Sequence, residues 1–198
     1  MCWWASVLPN GMLSSRERDD DMLHEALYFA ARAHDGQRRK GTDIPYIVHP
    51  YEVAQILMAE GAEEEVIIAG LLHDTVEDTS VTLEDIRQAF GEQVALMVLA
   101  CSENKEESWE ERKQHTIRYV KMHCPYEVML IVCADKLSNL RSIRDDLEQI
   151  GESLWERFHR GRSEQRWYYE SLLEAFGPLE DTEMCQEYQE LVLDIFGY

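Results

Sequence analysis

VIIAGLLHDTVEDT, residues 66–79, is the stretch on which the reading of this chain turns. From Val66 to Leu72 no side chain is polar. A helix built from such a run has no face to offer water, so it belongs in a core. It ends abruptly in charge, at His73, Asp74, Glu77 and Asp78. Burying a carboxylate beside apolar residues costs several kcal/mol unless it is paired or bound to a metal. A second stretch has the same design: VMLIVCADKLSNLRS, residues 128–142, runs from an apolar helix into Asp135, Asn139, Arg141 and Ser142. Two core helices that each end in charge, with His49 at the mouth of another helix, point to a shared cation. An isolated His-Asp pair would mean almost nothing.

The spacing agrees with one site. His73 and Glu77 are four residues apart and share a helix face, as do Asp135 and Asn139, with Ser142 on the same stripe. His73 and Asp74 diverge by about 100° on a regular turn, so both reach one ion only near a helix end. Two imidazoles and two carboxylates form a mixed nitrogen–oxygen set suited to Mn²⁺, Fe²⁺ or Zn²⁺ rather than Ca²⁺. Glu77, on the face of His73, is placed to act as general base or to orient a water, with Asp78 assisting.

Outward from these helices the three- and four-residue apolar period dominates. It predicts helices over 21–35, from His49-Pro50 to Glu60, over 63–77, from a Thr82 cap to Gly91, and over 92–101. Further helices are predicted over 109–123, 126–143, 163–176 and 182–196, with little or no sheet. Residues 177–198 have apolar positions at Leu191, Val192 and Ile195, open to packing on the core or to an oligomer contact. Gly36–Val48 and the polar run 102–108 read as loops. The first of these holds Arg38, Arg39 and Lys40, three consecutive cations leading to His49 in a chain of net charge −20. Arginine chelates phosphate or stacks on a base, and lysine adds a point charge. Lys105 and Lys113 are weaker candidates for the same role.

The acidity argues against nucleic acid and anionic membranes as partners. No apolar stretch reaches the ~20 residues needed to span a bilayer. The five cysteines, at positions 2, 101, 124, 133 and 185, are odd in number and lack metal-type spacing. They read as reduced thiols of a cytoplasmic protein. Residues 1–20 lack any helical or strand period and are expected to be a flexible extension, leaving 21–198 as one domain.

QRRKGTDIPYIVHP (37–50), LLHDTVEDT (71–79) and ADKLSNLRS (134–142), in that order, resemble the hydrolase domain of the RelA/SpoT homologues. The likeness is strongest to the small one-domain alarmone hydrolases and covers roughly residues 22–176. It implies an all-α HD-domain helical bundle of roughly eight to ten helices. It implies Mn²⁺ held by His49, His73, Asp74 and Asp135, with Glu77 and Asp78 positioning the attacking water. Arg39 and Lys40 would contact the nucleotide and Asn139 line its site, with Arg141 and Ser142 in neighbouring positions. The implied reaction is hydrolysis of the 3′-pyrophosphate of (p)ppGpp to GDP or GTP and pyrophosphate, without synthetase activity. Hydrolysis of another nucleotide (an adenine alarmone, NADPH or a nucleoside monophosphate) is the alternative. An inactive alarmone-binding module is the reading from a different class, and a homo-oligomer stays open.

Overall fold

The apolar runs do what their composition requires. The computed structural model describes residues 15–197, with side chains from Met22 onward. Its elements are α1 (Ser15–Ala33), α2 (Val48–Ala59), α3 (Glu64–Leu72), α4 (Thr75–Asp78), α5 (Leu83–Cys101), α6 (Trp109–Met122), α7 (Tyr126–Ile150), α8 (Arg162–Ala175) and α9 (Glu183–Phe196). Short 3₁₀ turns at Gly151–Arg157 and Gly177–Leu179 join the last three. In α3 every residue from Val66 to Leu72 is buried, and in α7 every residue from Val128 to Ala134. α3 lies against α1, α2, α5 and α7, while α7 also carries α2, α5 and α9. The two helices whose ends hold the charged motifs are thus the central pair of an all-α bundle.

Several boundaries differ from the sequence expectation. The helix expected over 63–77 breaks at His73–Asp74 into α3 and α4. The cause is local competition for carbonyls: His73 Nδ1 lies 2.8 Å from the Gly70 carbonyl, and the Thr75 hydroxyl donates to the Leu72 carbonyl at 2.7 Å. The break turns His73 and Asp74 toward one point despite their divergence on a regular helix. α7 continues to Ile150 rather than stopping near 143, because Ile143 and Leu147 extend the inward-facing row. It ends at Gly151, whose φ of 61° is costly for any residue with a Cβ. Gly91, at φ 89°, kinks α5 where the sequence expects one helix to give way to the next. α1 begins at Ser15; of the extension expected over 1–20, residues 1–14 lie outside the described residues.

The C-terminal helix packs on the core. Leu191, Val192 and Ile195 are buried where α9 meets α7 and α8. The loop between α1 and α2 closes on itself through a single antiparallel bridge, Arg38 to Pro45, and the described residues contain no strand. No helix among them is long and apolar enough to cross a membrane.

Candidate active site

Three helical segments meet at the centre of the bundle. His49 comes from the first turn of α2, His73 and Asp74 from the α3–α4 break, and Asp135 from the middle of α7. One ligand atom from each of His49, His73 and Asp135 lies within 4.8 Å of the other two. His49 Nε2 is 3.2 Å from Asp135 Oδ1 and 3.7 Å from Asp74 Oδ2. His73 Nε2 is 3.1 Å from Asp74 Oδ2 and 3.8 Å from Asp135 Oδ1. Atoms bound about 2.1 Å from one ion stand roughly 3.0–3.4 Å apart, so His49, His73 and Asp135 could hold a single divalent cation, with Asp74 at its edge beside both imidazoles.

The hydrogen bonds say which atoms are free to bind. A carbonyl only accepts, so the contact with Gly70 fixes the proton of a neutral His73 on Nδ1 and leaves its Nε2 with a lone pair. That Nε2 is buried and has no hydrogen-bond partner, an orphan at the point where the carboxylates converge. The electrostatics also call for a positive charge. Burial opposes protonation of His73, yet Asp74 and Asp135 outweigh it and push its pKa up to about 9. Burial, with a smaller push from His73, outweighs Asp135 and Asp74 and moves His49 down. Burial also works against the charge on Asp135, but Lys136, His49 and His73 hold its carboxyl well below the usual range. In such a site a divalent ion replaces the proton that the carboxylates would otherwise draw onto an imidazole.

A surrounding layer fixes the ligands. The Tyr46 hydroxyl donates to Asp74 Oδ2 at 2.6 Å, and its ring lies 4.8 Å from that of His34. Lys136 Nζ donates to Asp135 Oδ2 at 2.6 Å, and the Asn139 amide to Oδ1 at 2.7 Å. Glu77 and Asp78 stand on α4, directly after the break. The backbone N–H of Glu103 donates to Glu77 Oε2 at 3.0 Å, and Lys105 pairs with Asp78. Burial raises the pKa of Glu77 against the effect of that N–H, which readies it to take a proton.

Two cavities flank the metal-ligand cluster. The larger, about 480 Å³, reaches His49 and is lined by Arg39, Lys40, Lys113, Lys136, Asn139 and Ser142, with aromatic walls from Tyr46, Trp109, Tyr168 and Tyr169. Arg39 spans it, donating to Asn139 Oδ1 and Ser142 Oγ at 3.1 Å each. The smaller, about 290 Å³, reaches His73 and Asp135 from between α5 and α6. Of the residues singled out from sequence, Arg141 stands apart. It does not line the larger cavity: its guanidinium is taken by Glu52 at 3.1 Å and by Glu187 at 2.6 Å. Sequence reasoning missed Tyr46, Lys136, Glu52, Ser138 and Glu103. Tyr46 and Lys136 sit inside quoted motifs and were open to view; Glu103, in a polar loop, left no signal.

A helical bundle that gathers two imidazoles and two carboxylates among its core helices is the arrangement of a metal-dependent HD domain. Residues 26–163 match the family model described as HD domain, and the chain belongs to that family. The guanosine-3′,5′-bis(diphosphate) 3′-pyrophosphohydrolase MESH1 of Danio rerio is 42% identical over 125 residues, 62% of this chain and 69% of that protein. The crystal structure of lmo0812 from Listeria monocytogenes superposes with a TM-score of 0.71 at 44% identity, covering 76% of this chain and 99% of that one. A metazoan orthologue of SpoT, described as hydrolysing ppGpp, gives a TM-score of 0.77 at 28% identity, covering 96% of this chain and all of that one (100%).

Proposed function

We propose that this protein is a guanosine-3′,5′-bis(diphosphate) 3′-pyrophosphohydrolase, and that residues 21–198 act as one hydrolase domain. The observation that carries the reading is the convergence of His49, His73, Asp74 and Asp135, with imidazole–carboxylate distances of 3.1–3.8 Å, beside a cavity whose lining includes Arg39, Lys40, Lys113 and Lys136. The relatives named for ppGpp hydrolysis support the choice of substrate.

On this reading Mn²⁺ is the resident ion. When bound it supplies Lewis acidity, acidifying water and polarising a phosphoryl oxygen. Arg39 and Lys40 receive the nucleotide, and Asn139 and Ser142 hold Arg39 in place. The aromatic walls take the apolar faces of the nucleoside. Glu77 accepts a proton from water as that water attacks the 3′-linked phosphorus. Asp78 helps to position that water and, paired with Lys105, ties α4 to the loop between α5 and α6. The P–O bond to the ribose 3′ oxygen breaks, giving GDP or GTP and pyrophosphate. The free thiols at Cys101, Cys124, Cys133 and Cys185 fit a reducing cytoplasmic setting.

Product release from ppGpp with and without Mn²⁺, run beside pppGpp, pppApp, NADPH and dGMP, tests the proposal. Mn²⁺-dependent pyrophosphate release from ppGpp is the expected result. Silence on ppGpp with turnover of another nucleotide would overturn the substrate and leave the metal site standing.

A further inference from the structure

Resting on the metal site proposed above, we infer that Glu52, Ser138 and Arg141 are positioning residues that determine which ring nitrogen His49 offers to the ion, and that α9 anchors them. His73 needs no such device, because its own helix supplies an acceptor-only carbonyl at Gly70. His49 differs. Its Nδ1 faces the Ser138 hydroxyl at 2.9 Å, and a hydroxyl can either donate or accept. By itself Ser138 would tolerate both tautomers. One of them places a proton on Nε2, the atom aimed at Asp135 and Asp74, and cannot bind a metal.

The next residue removes the ambiguity. Ser138 Oγ also lies 2.9 Å from Glu52 Oε2. An ionised carboxylate only accepts, so the single hydroxyl proton of Ser138 must point to Glu52. The Ser138 oxygen then has only lone pairs for His49, which draws the ring proton to Nδ1, against the pull of Asp135 on Nε2, and favours a bare Nε2 for the ion. Arg141 keeps Glu52 in that role: Nη1 donates to Glu52 Oε1 at 3.1 Å. The other edge of the guanidinium is held by Glu187, with Nε to Oε1 at 2.7 Å and Nη2 to Oε2 at 2.6 Å. Glu187 belongs to α9. A chain of five side chains therefore runs from the C-terminal helix to a metal ligand, through residues that α2 and α7 bring together. Ser138 is fully buried, so water does not substitute for a missing link at that point. This gives Arg141 a task away from the nucleotide.

The test reads His49 directly in metal-free protein. Long-range ¹H–¹⁵N spectra of the histidine rings in EDTA are expected to show a larger share of His49 with its proton on Nδ1 in wild type than in Glu52→Met, Asp135 at 3.2 Å drawing the proton to Nε2 in both. In Glu52→Met, Ser138 is free to donate to His49, and the Nε2–H tautomer is expected to gain. Metal affinity, measured by competition with a chelator, is expected to fall about tenfold or more in Glu52→Met and in Ser138→Ala, the range seen when outer partners of metal ligands are lost. Glu187→Gln, at a half-exposed position that any folded variant tolerates, is expected to weaken the metal by a smaller factor in the same direction. If wild type binds no divalent ion, the metal-site reading fails and this inference with it. If wild type binds and the Glu52 and Ser138 variants bind within twofold of it, or if the His49 tautomer is the same in wild type and Glu52→Met, the relay alone is wrong.

Discussion

Asp135→Asn is nearly isosteric, yet it should act on both stability and metal binding, and the two effects can be separated. Asp135 accepts from Lys136 Nζ through Oδ2 and from Asn139 Nδ2 through Oδ1. A carboxylate accepts at both oxygens; an amide accepts at one end and donates at the other. One of the two donors must then face an NH₂ group. Losing a hydrogen bond to a charged group costs about 1.5–3 kcal/mol. For a chain of this size that lowers the melting temperature in EDTA by about 3–12 °C, at 2–4 °C per kcal/mol. The metal effect adds to it. Loss of outer partners weakens metal sites about 10–100-fold, and neutralising a ligand should reach at least the upper figure. With metal at 100 times the wild-type Kd, wild type gains about 2.7 kcal/mol and a 100-fold weaker variant only about 0.4. The metal-induced rise in melting temperature should therefore be about 5–11 °C for wild type and about 1–2 °C for the variant. Thermal scans with EDTA and with Mn²⁺ measure both quantities. An equal metal-induced rise in the two proteins would remove Asp135 from the ligand set, however much the EDTA value had dropped.

Three further outcomes follow from the same geometry. Glu77→Ala should keep the metal-induced rise in melting temperature and lose turnover by about 10²-fold or more, the usual contribution of a general base; near-normal kcat would assign proton transfer elsewhere. Arg39→Ala should raise KM more than it lowers kcat, because Arg39 lines the cavity and is held by Asn139 and Ser142 rather than by the metal ligands; the reverse split would place it at the developing charge. Burial raises the pKa of Glu77, so its base form, present above that pKa, is lost on acidification sooner than an ordinary glutamate's. Lys105 Nζ lies 3.9 Å from Glu77 Oε1 and favours the carboxylate, so Lys105→Met should move the acid limb of the pH–rate profile to higher pH; a limb that stays put or moves down would show that another group controls it.

The sequence revealed the parts of the site whose signal is local. His73, Asp74 and Asp135 stand out because charge follows directly on apolar runs, and Arg39 because cations are rare in so acidic a chain. What stayed hidden depends on distance along the chain. Glu52 reads as one more polar position on an amphipathic helix, and only folding brings it within reach of Arg141, 89 residues away. Arg141 was visible, but nothing near it in sequence announces its pairing with Glu187, 46 residues on. The break after Leu72 escaped a different way. The apolar period runs through 77 as if the helix were continuous, and the competing bonds from His73 and Thr75 to carbonyls leave that period untouched.

The acidity of the chain and the polyanion it is proposed to cleave are reconciled at the scale of one cavity. Lysine and arginine number 19 against 39 aspartates and glutamates, yet the larger cavity is lined by Arg39, Lys40, Lys113 and Lys136 against Glu52, Asp145 and Asp146. Two of these are already engaged: Lys113 lies 2.8 Å from Glu103, and Lys136 is 2.6 Å from Asp135. With Asp74 and Asp135 bare, the inner end of the cavity is close to neutral or negative and does little to draw in phosphate. A divalent ion among the proposed ligands would offset both carboxylates and leave the Lys136 charge uncompensated, which moves the inner end of the cavity toward positive although Glu52, Asp145 and Asp146 also line its walls. Beyond about 8–10 Å, salt screens the more distant surface acids from anything inside the cavity. On the proposed reading, metal occupancy therefore shifts the field that the nucleotide phosphates meet as well as supplying chemistry at the phosphorus.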